Sequence, residues 1–117
     1  MFGVFLAQKL CGKPLTIVGD GTQTRDFTYV FDGVNSFMAA THSDCRNEIS
    51  NVAAGRPTSM NRIAELLGGE RVFIPKRPGE PDITHADLSK ITRDLRWEPK
   101  ISIEEGVGNL LKNSDDF

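Results

Sequence analysis

Gly19-Asp20-Gly21-Thr22-Gln23-Thr24-Arg25-Asp26-Phe27-Thr28-Tyr29-Val30 divides two apolar runs, and the rest of the chain is arranged around it. Ahead of it, Leu15 to Val18 reads as a short apolar strand that Gly19 stops. Gly-Asp-Gly breaks a strand and supplies two residues free to take positive φ. Thr22, Gln23 and Thr24 are polar and lead to a single cation, Arg25. Behind Asp26, the apolar-aromatic run Phe27 to Phe31 reads as a second strand. A guanidinium and side-chain amides presented by a loop on a rigid strand suit an anion such as a phosphate. Local chemistry alone favours a plainer reading, a β-turn with Arg25 in a surface ion pair.

At 117 residues the chain is one domain at most. Its apolar content, 38%, is at the low side for a compact globule. A net charge of -2, from 14 basic and 16 acidic residues, argues against a general nucleic-acid or membrane-surface binder. Two cysteines, Cys11 and Cys45, lie far apart and in no metal-ligand spacing. That usage suits a reduced, cytoplasmic protein without a disulfide framework. Cys11, at the end of an apolar segment, reads as a small buried group. Met1 to Ala7 is apolar but lacks a basic start and is soon interrupted by Lys9, so it is neither a signal peptide nor a membrane span. It reads as a helix whose earlier context is missing.

The remaining segments alternate in type. Residues 2 to 12 fit an amphipathic helix, with Phe2, Phe5, Leu6 and Leu10 on one face and Gly12 ending it. Asp32 is an N-cap candidate for a helix to about Thr41, with Val34, Phe37, Met38 and Ala40 on one face. Glu48 to Ala54 reads as a strand closed by Gly55. Thr58 or Ser59 caps a helix in which Met60, Ile63, Ala64 and Leu67 recur at helical spacing. Arg71 to Ile74 is a fourth strand. Lys76-Arg77-Pro78-Gly79-Glu80-Pro81-Asp82 is a stiff, non-helical loop. Asp87 or Ser89 caps a helix through Arg96, and Ser102 caps the last, with Glu104 and Glu105 in its first turn. The residues from 114 to 117 read as a frayed tail. The order is helix, strand, strand, helix, strand, helix, strand, helix, helix. That is mixed α/β, about five helices with a small sheet of four short strands, in a single unit spanning 1–117.

No strong catalytic motif is present. There is no Gly-rich phosphate loop and no zinc spacing. His42 and His85 have no matched acid or nucleophile, and Tyr29 has no lysine four residues on. What remains is a pair of loops, Gln23 with Arg25 and Arg77 with Gly79 and Glu80. Two arginines converging from separate loops would suit a diphosphate, and Glu80 would accept from a ribose or sugar hydroxyl. The plain alternative is that Arg77 and Glu80 pair with each other at the surface, for little energy.

Gly12 through Val30 resembles the substrate-lobe signature of extended short-chain dehydrogenases/reductases, the NAD-dependent nucleotide-sugar epimerases and dehydratases, with UDP-glucose 4-epimerase the nearest type. Three more stretches fit in the same order. Asn51-Val52-Ala53-Ala54-Gly55-Arg56-Pro57-Thr58-Ser59 resembles the family's Asn-Val-Gly-x-Gly segment, with Ala53 where glycine is usual. Arg77-Pro78-Gly79-Glu80 resembles its sugar-nucleotide loop. Asp87 to Lys90, Leu95 to Pro99 and Glu104-Glu105-Gly106 resemble its closing helices.

The resemblance implies roles. Arg25 would contact the diphosphate or ribose of a bound nucleotide sugar, with Gln23 beside it. Thr16, Ile17 and Val18 would lie along the uracil, largely through backbone groups. Arg77 would hold the phosphates, and Glu80 a ribose hydroxyl. Asp26 would pair locally to aim Arg25. The family's G-x-x-G-x-x-G fingerprint and Tyr-x-x-x-Lys pair do not occur in these 117 residues. The chain therefore reads as a substrate-binding lobe without the NAD-binding Rossmann lobe, holding no cofactor and inactive alone. A free-standing binding module, or half of a split enzyme, is the alternative. Removed from a Rossmann lobe, Phe37, Met38 and Val52 would be exposed and favour self-association.

Overall fold

The structure, a computed structural model, describes residues 1–114. The elements run α1 (Phe2–Leu10), β1 (Leu15–Val18), β2 (Thr24–Arg25), α2 (Val30–Thr41), β3 (Thr58–Ser59), α3 (Met60–Leu67), β4 (Arg71–Ile74), α4 (Ser89–Leu95) and α5 (Ile103–Ser114). The fold is mixed α/β with five helices among the described residues, and the elements follow one another in the expected order of types. The four strands do not form one sheet. β1 pairs with β4 in parallel, from Leu15↔Arg71 to Val18↔Ile74. β2 pairs with β3 antiparallel, Thr24↔Ser59 and Arg25↔Thr58.

The core lies where α1 and α3 pack on β1 and α5 packs on α3. Ile63 and Ala64 are fully enclosed, with Phe5, Leu15, Ile17, Met60, Leu67 and Val107 around them. Spacing at 60, 63, 64 and 67 puts one stripe of α3 inward, as its sequence requires. Met60, Ile63 and Leu67 each contribute about 1.5–3 kcal/mol by leaving water. Ser59 starts α3 cleanly, its Oγ accepting from Arg62 N–H at 3.1 Å. Ser102 does the same for α5, accepting from Glu105 N–H at 3.1 Å.

Several expectations are corrected. Phe27 to Phe31 is not a strand: the ladder ends at Arg25, and the chain turns helical at Val30. Phe27 instead packs edge-on against Phe2, centroids 5.1 Å apart. Tyr29 precedes α2 and lies against α5, its hydroxyl accepting from Asn109 Nδ2 at 3.4 Å. Asp32 is no cap. It sits in the first turn of α2, 2% exposed, and accepts from Lys100 and Ile101 N–H at 2.9–3.1 Å. A carboxylate there fastens α2 to the connector ahead of α5.

Glu48 to Ala54 is not a strand either. At its end the N–H of Ala54, with that of Gly55 just beyond, goes to the Asp26 carboxylate at 3.0–3.1 Å. Cys11 is exposed, not buried. Ser114 is buried and ends α5 in helical geometry, so the tail expected from 114 does not include it; 115–117 lie outside the described residues.

Candidate functional site

Because β1 and β4 are parallel, the loops that follow them leave from the same end of the sheet. Gly19 N–H continues the ladder by donating to Ile74 carbonyl at 2.8 Å. The two loops then stay together. Thr24 N–H donates to Asp82 carbonyl at 2.8 Å, and Thr84 N–H returns a bond to Thr24 carbonyl at 3.2 Å. Lys76 forms an ion pair with Asp82, which staples the base of the second loop.

α3 holds the first loop from below. Met60 N–H donates to Gln23 carbonyl at 3.1 Å and Asn61 N–H to Gly21 carbonyl at 3.0 Å. Asn61 Nδ2 adds a bond to Asp20 carbonyl at 3.0 Å. These are first-turn donors of a helix with no partner inside it, so the loop uses them fully. Gly21 has φ +77 and is buried beneath Asn61. A Cβ at Gly21 would lie 2.1 Å from Asn61 Oδ1, so only glycine fits. The Asp20 carboxylate accepts from Thr22 Oγ at 2.7 Å and Thr22 N–H at 3.0 Å, which holds its pKa below the usual carboxylate range.

Arg25 is half-buried, and its Nη1 donates to Thr24 carbonyl at 2.8 Å. It joins no ion pair among the described residues, so the plain reading as half of a surface pair is not what the structure contains. Nor do Arg77 and Glu80 pair with each other; Arg77 is exposed and Glu80 half-buried on the stapled loop. Asp26 does not aim Arg25. Its carboxylate gathers the N–H groups of Ala54, Gly55 and, at 3.3 Å, Ala86.

Of the strand residues, Thr16 and Val18 face out and Ile17 does not. Ile17 is buried in the core, and its backbone groups face β4, as those of Leu15 do. Thr16 and Val18 turn theirs to the free edge. Thr16 N–H is taken by Gln8 Oε1 at 3.1 Å, and Val18 carbonyl by Gln23 Nε2 at 2.7 Å. Gln23 is thus tied to the strand edge rather than extended beside Arg25. Nothing in the sequence singles out Gln8. No local motif marks it, because its partner lies eight positions away across a turn.

Among the described residues no three His, Cys, Asp or Glu side chains gather as a metal site. An open groove of about 860 Å³ lies beyond the Asp26 clamp, walled by Gly55, Arg56, His85, Asp87, Ser89 and Arg93, and holds none of the predicted residues. No helix of the described residues is long and apolar enough to cross a membrane.

Residues 4–110 match the family model described as GDP-mannose 4,6 dehydratase. The chain is 40% identical over 111 residues to a UDP-glucuronate 4-epimerase of Thermodesulfobacterium geofontis, covering 89% of this chain and 34% of that protein. It is 32% identical to a putative UDP-glucose 4-epimerase of Methanocaldococcus jannaschii, covering 98% of this chain and 40% of that one. Among solved structures, UDP-glucuronic acid 4-epimerase of Bacillus cereus in complex with UDP-glucuronic acid and NAD superposes with a TM-score of 0.89 at 33% identity, over 98% of this chain and 39% of that one. A UDP-glucose 4-epimerase of Thermotoga maritima with UDP-glucose gives 0.88 at 33%, over 97% and 38%. The chain thus spans a third to two fifths of these relatives, and the part it matches is the C-terminal portion of Rossmann-type epimerases.

Proposed function

The chain belongs to the extended short-chain dehydrogenase/reductase family of NAD-dependent epimerases and dehydratases, and from that premise we propose that it binds the nucleotide half of a UDP-sugar. The observation that carries this reading is the pair of stapled loops beyond the carboxyl ends of β1 and β4, with Arg25 on one and Arg77 on the other. Ligands of open α/β sheets sit outside the carboxyl ends of strands. Arg25 would give a diphosphate the N–H groups that Thr24 leaves unused, and Arg77 a second fork from across the site. Glu80 would accept from a ribose hydroxyl. Thr16 and Val18, not Ile17, would offer backbone groups to uracil. The solved relatives titled with UDP-sugars support that choice of ligand.

NAD does not fit the described residues by themselves. A dinucleotide site needs a Gly-rich turn from a strand into a helix N-terminus. Here the Gly-rich turn after β1 leads into β2, the loop after β4 is proline-rich, and β3 runs into α3 without a turn. By this reading these residues bind and orient, and hydride transfer and proton abstraction would belong to groups they do not include. By this reading the chain alone does not turn over a UDP-sugar, with or without added NAD.

A second part of the proposal concerns partners. Val34, Phe37 and Met38 on α2, with nearby Val52, are exposed, and Phe37 is 75% so. We propose that this face supports self-association of the chain. Exposed, unpaired Cys11 and Cys45 suit a reducing compartment, and we assign the protein to the cytoplasm.

Calorimetric titration of UDP into the chain tests the ligand. Saturable binding that Arg25→Ala abolishes is the expected outcome. No heat and no chemical-shift change would overturn the reading.

A further inference from the structure

β4 uses only one of its two edges. In a parallel pair, alternate residues face the neighbour. Leu15 N–H donates to Glu70 carbonyl and Gly19 N–H to Ile74 carbonyl, both at 2.8 Å, so Val72 and Ile74 turn their backbone groups to β1. Arg71 and Phe73 turn theirs to the other edge, where no strand pairs among the described residues. The side chains there are open as well: Arg71 is exposed, Val72 is 44% exposed and Phe73 55%. The chain does not turn again until Pro78, so the next group on this edge is the Pro75 carbonyl, without an N–H beside it. An open edge with two unpaired N–H groups is a template for another strand.

We propose that the free edge of β4 pairs antiparallel with β4 of a second copy of the chain, giving a four-stranded sheet β1-β4-β4-β1. Antiparallel pairing about a twofold axis closes with two copies. Groups already held by β1 are not available, and two registers then satisfy both Arg71 N–H and Phe73 N–H. One sets Val72 opposite Val72 and leaves the Glu70 carboxylate opposite Ile74. The other sets Phe73 opposite Phe73, Val72 opposite Ile74 and Glu70 opposite Lys76. The second matches aromatic with aromatic, aliphatic with aliphatic and anion with cation, and leaves only Arg71 carbonyl to water. Glu70 joins no ion pair among the described residues, so it is free to meet Lys76 of the second copy. Proline commonly guards an edge, but in this register Pro75 presents only the carbonyl that Arg71 N–H needs. It also ends the ladder, so the dimer is weak and reversible. The inference is independent of the nucleotide reading and concerns a different element from the α2 face.

The test is made in the Phe37→Glu chain, whose α2 face is charged. Sedimentation is expected to show a monomer–dimer equilibrium. Amide exchange at Arg71 and Phe73 is expected to slow as concentration rises, while exchange at Val72 and Ile74, already bonded to β1, stays the same. Adding Phe73→Lys sets two cations against each other at the axis and is expected to weaken the dimer at least about tenfold. Adding Glu70→Lys instead keeps Phe73 and sets a cation opposite Lys76. It is expected to weaken the dimer about three- to tenfold, and it keeps the test decisive if Phe73→Lys unfolds the chain.

A Phe37→Glu chain that stays monomeric at every concentration would overturn the proposal. So would a dimer in which exchange at Arg71 and Phe73 ignores concentration, or one that a folded Phe73→Lys chain forms equally well. Exchange there that slows only with an added extended peptide would give the edge to a strand of another protein and overturn self-pairing. A dimer unchanged by Glu70→Lys would overturn the register.

Discussion

At the scale of single residues, two aspartates bear more of the architecture than their sequence positions suggest. Asp26 collects three backbone N–H groups, from Ala54, Gly55 and Ala86, and so joins the end of β2 to two segments remote in sequence. Removing the carboxylate leaves those donors partly buried without a partner. Asp26→Ala is expected to lower stability by about 1–3 kcal/mol in urea unfolding. It should also speed amide exchange at 54, 55 and 86 before the α3 core opens. Unchanged exchange there would contradict the clamp. Asp32 does comparable work between α2 and the connector to α5, from a site that is 2% exposed. Neither role follows from the residue and its neighbours. An aspartate before an apolar run is locally a cap candidate, and only a partner 68 positions away makes it a tertiary fastener.

At the scale of elements, the segments that follow periodicity were legible and those that follow tertiary hydrogen bonding were not. α3 was readable because its 60, 63, 64, 67 stripe and its Ser59 cap are local facts. β1 and β4 were readable as apolar runs with clear stops. The run Phe27 to Phe31 looked equally strand-like, but Phe27 packs on α1 and Tyr29 on α5 instead of pairing. Glu48 to Ala54 ends with Ala54 N–H on Asp26 rather than on a neighbouring strand, and Ile49 is 86% exposed. The loops with Arg25 and Arg77 were named from the sequence. Their attachment through Thr24, Asp82 and Thr84, and the bonds of Gln8 and Gln23 to the β1 edge, belong to the folded chain alone.

The Gly19–Gln23 loop carries a prediction at this scale. Gly21→Ala combines positive φ with a Cβ 2.1 Å from Asn61, and is expected to cost about 2 kcal/mol or more. Gly3→Ala, in an open position on α1, is the control and should be neutral or stabilising by up to about 1 kcal/mol. Equal effects of the two in urea unfolding would contradict the packing of α3 under the loop.

At the scale of the molecule, the chain is a slab of 49 × 36 × 18 Å with a radius of gyration of 16.4 Å. A compact chain of this length would have about 13 Å. A body so thin leaves large apolar groups outside, those of the α2 face among them. Light scattering is expected to give a mass above that of the 12.9 kDa chain, rising with concentration, and Phe37→Glu is expected to lower it. A monodisperse monomer at high concentration would contradict this. The central claim is narrower, that the two stapled loops form the nucleotide side of a UDP-sugar site. Titration of UDP into the chain and into Arg25→Ala, with circular dichroism to verify the fold of both, tests it most directly. The account predicts saturable binding to the first and at least about a tenfold loss in a folded Arg25→Ala protein. Equal affinity in the two would contradict it.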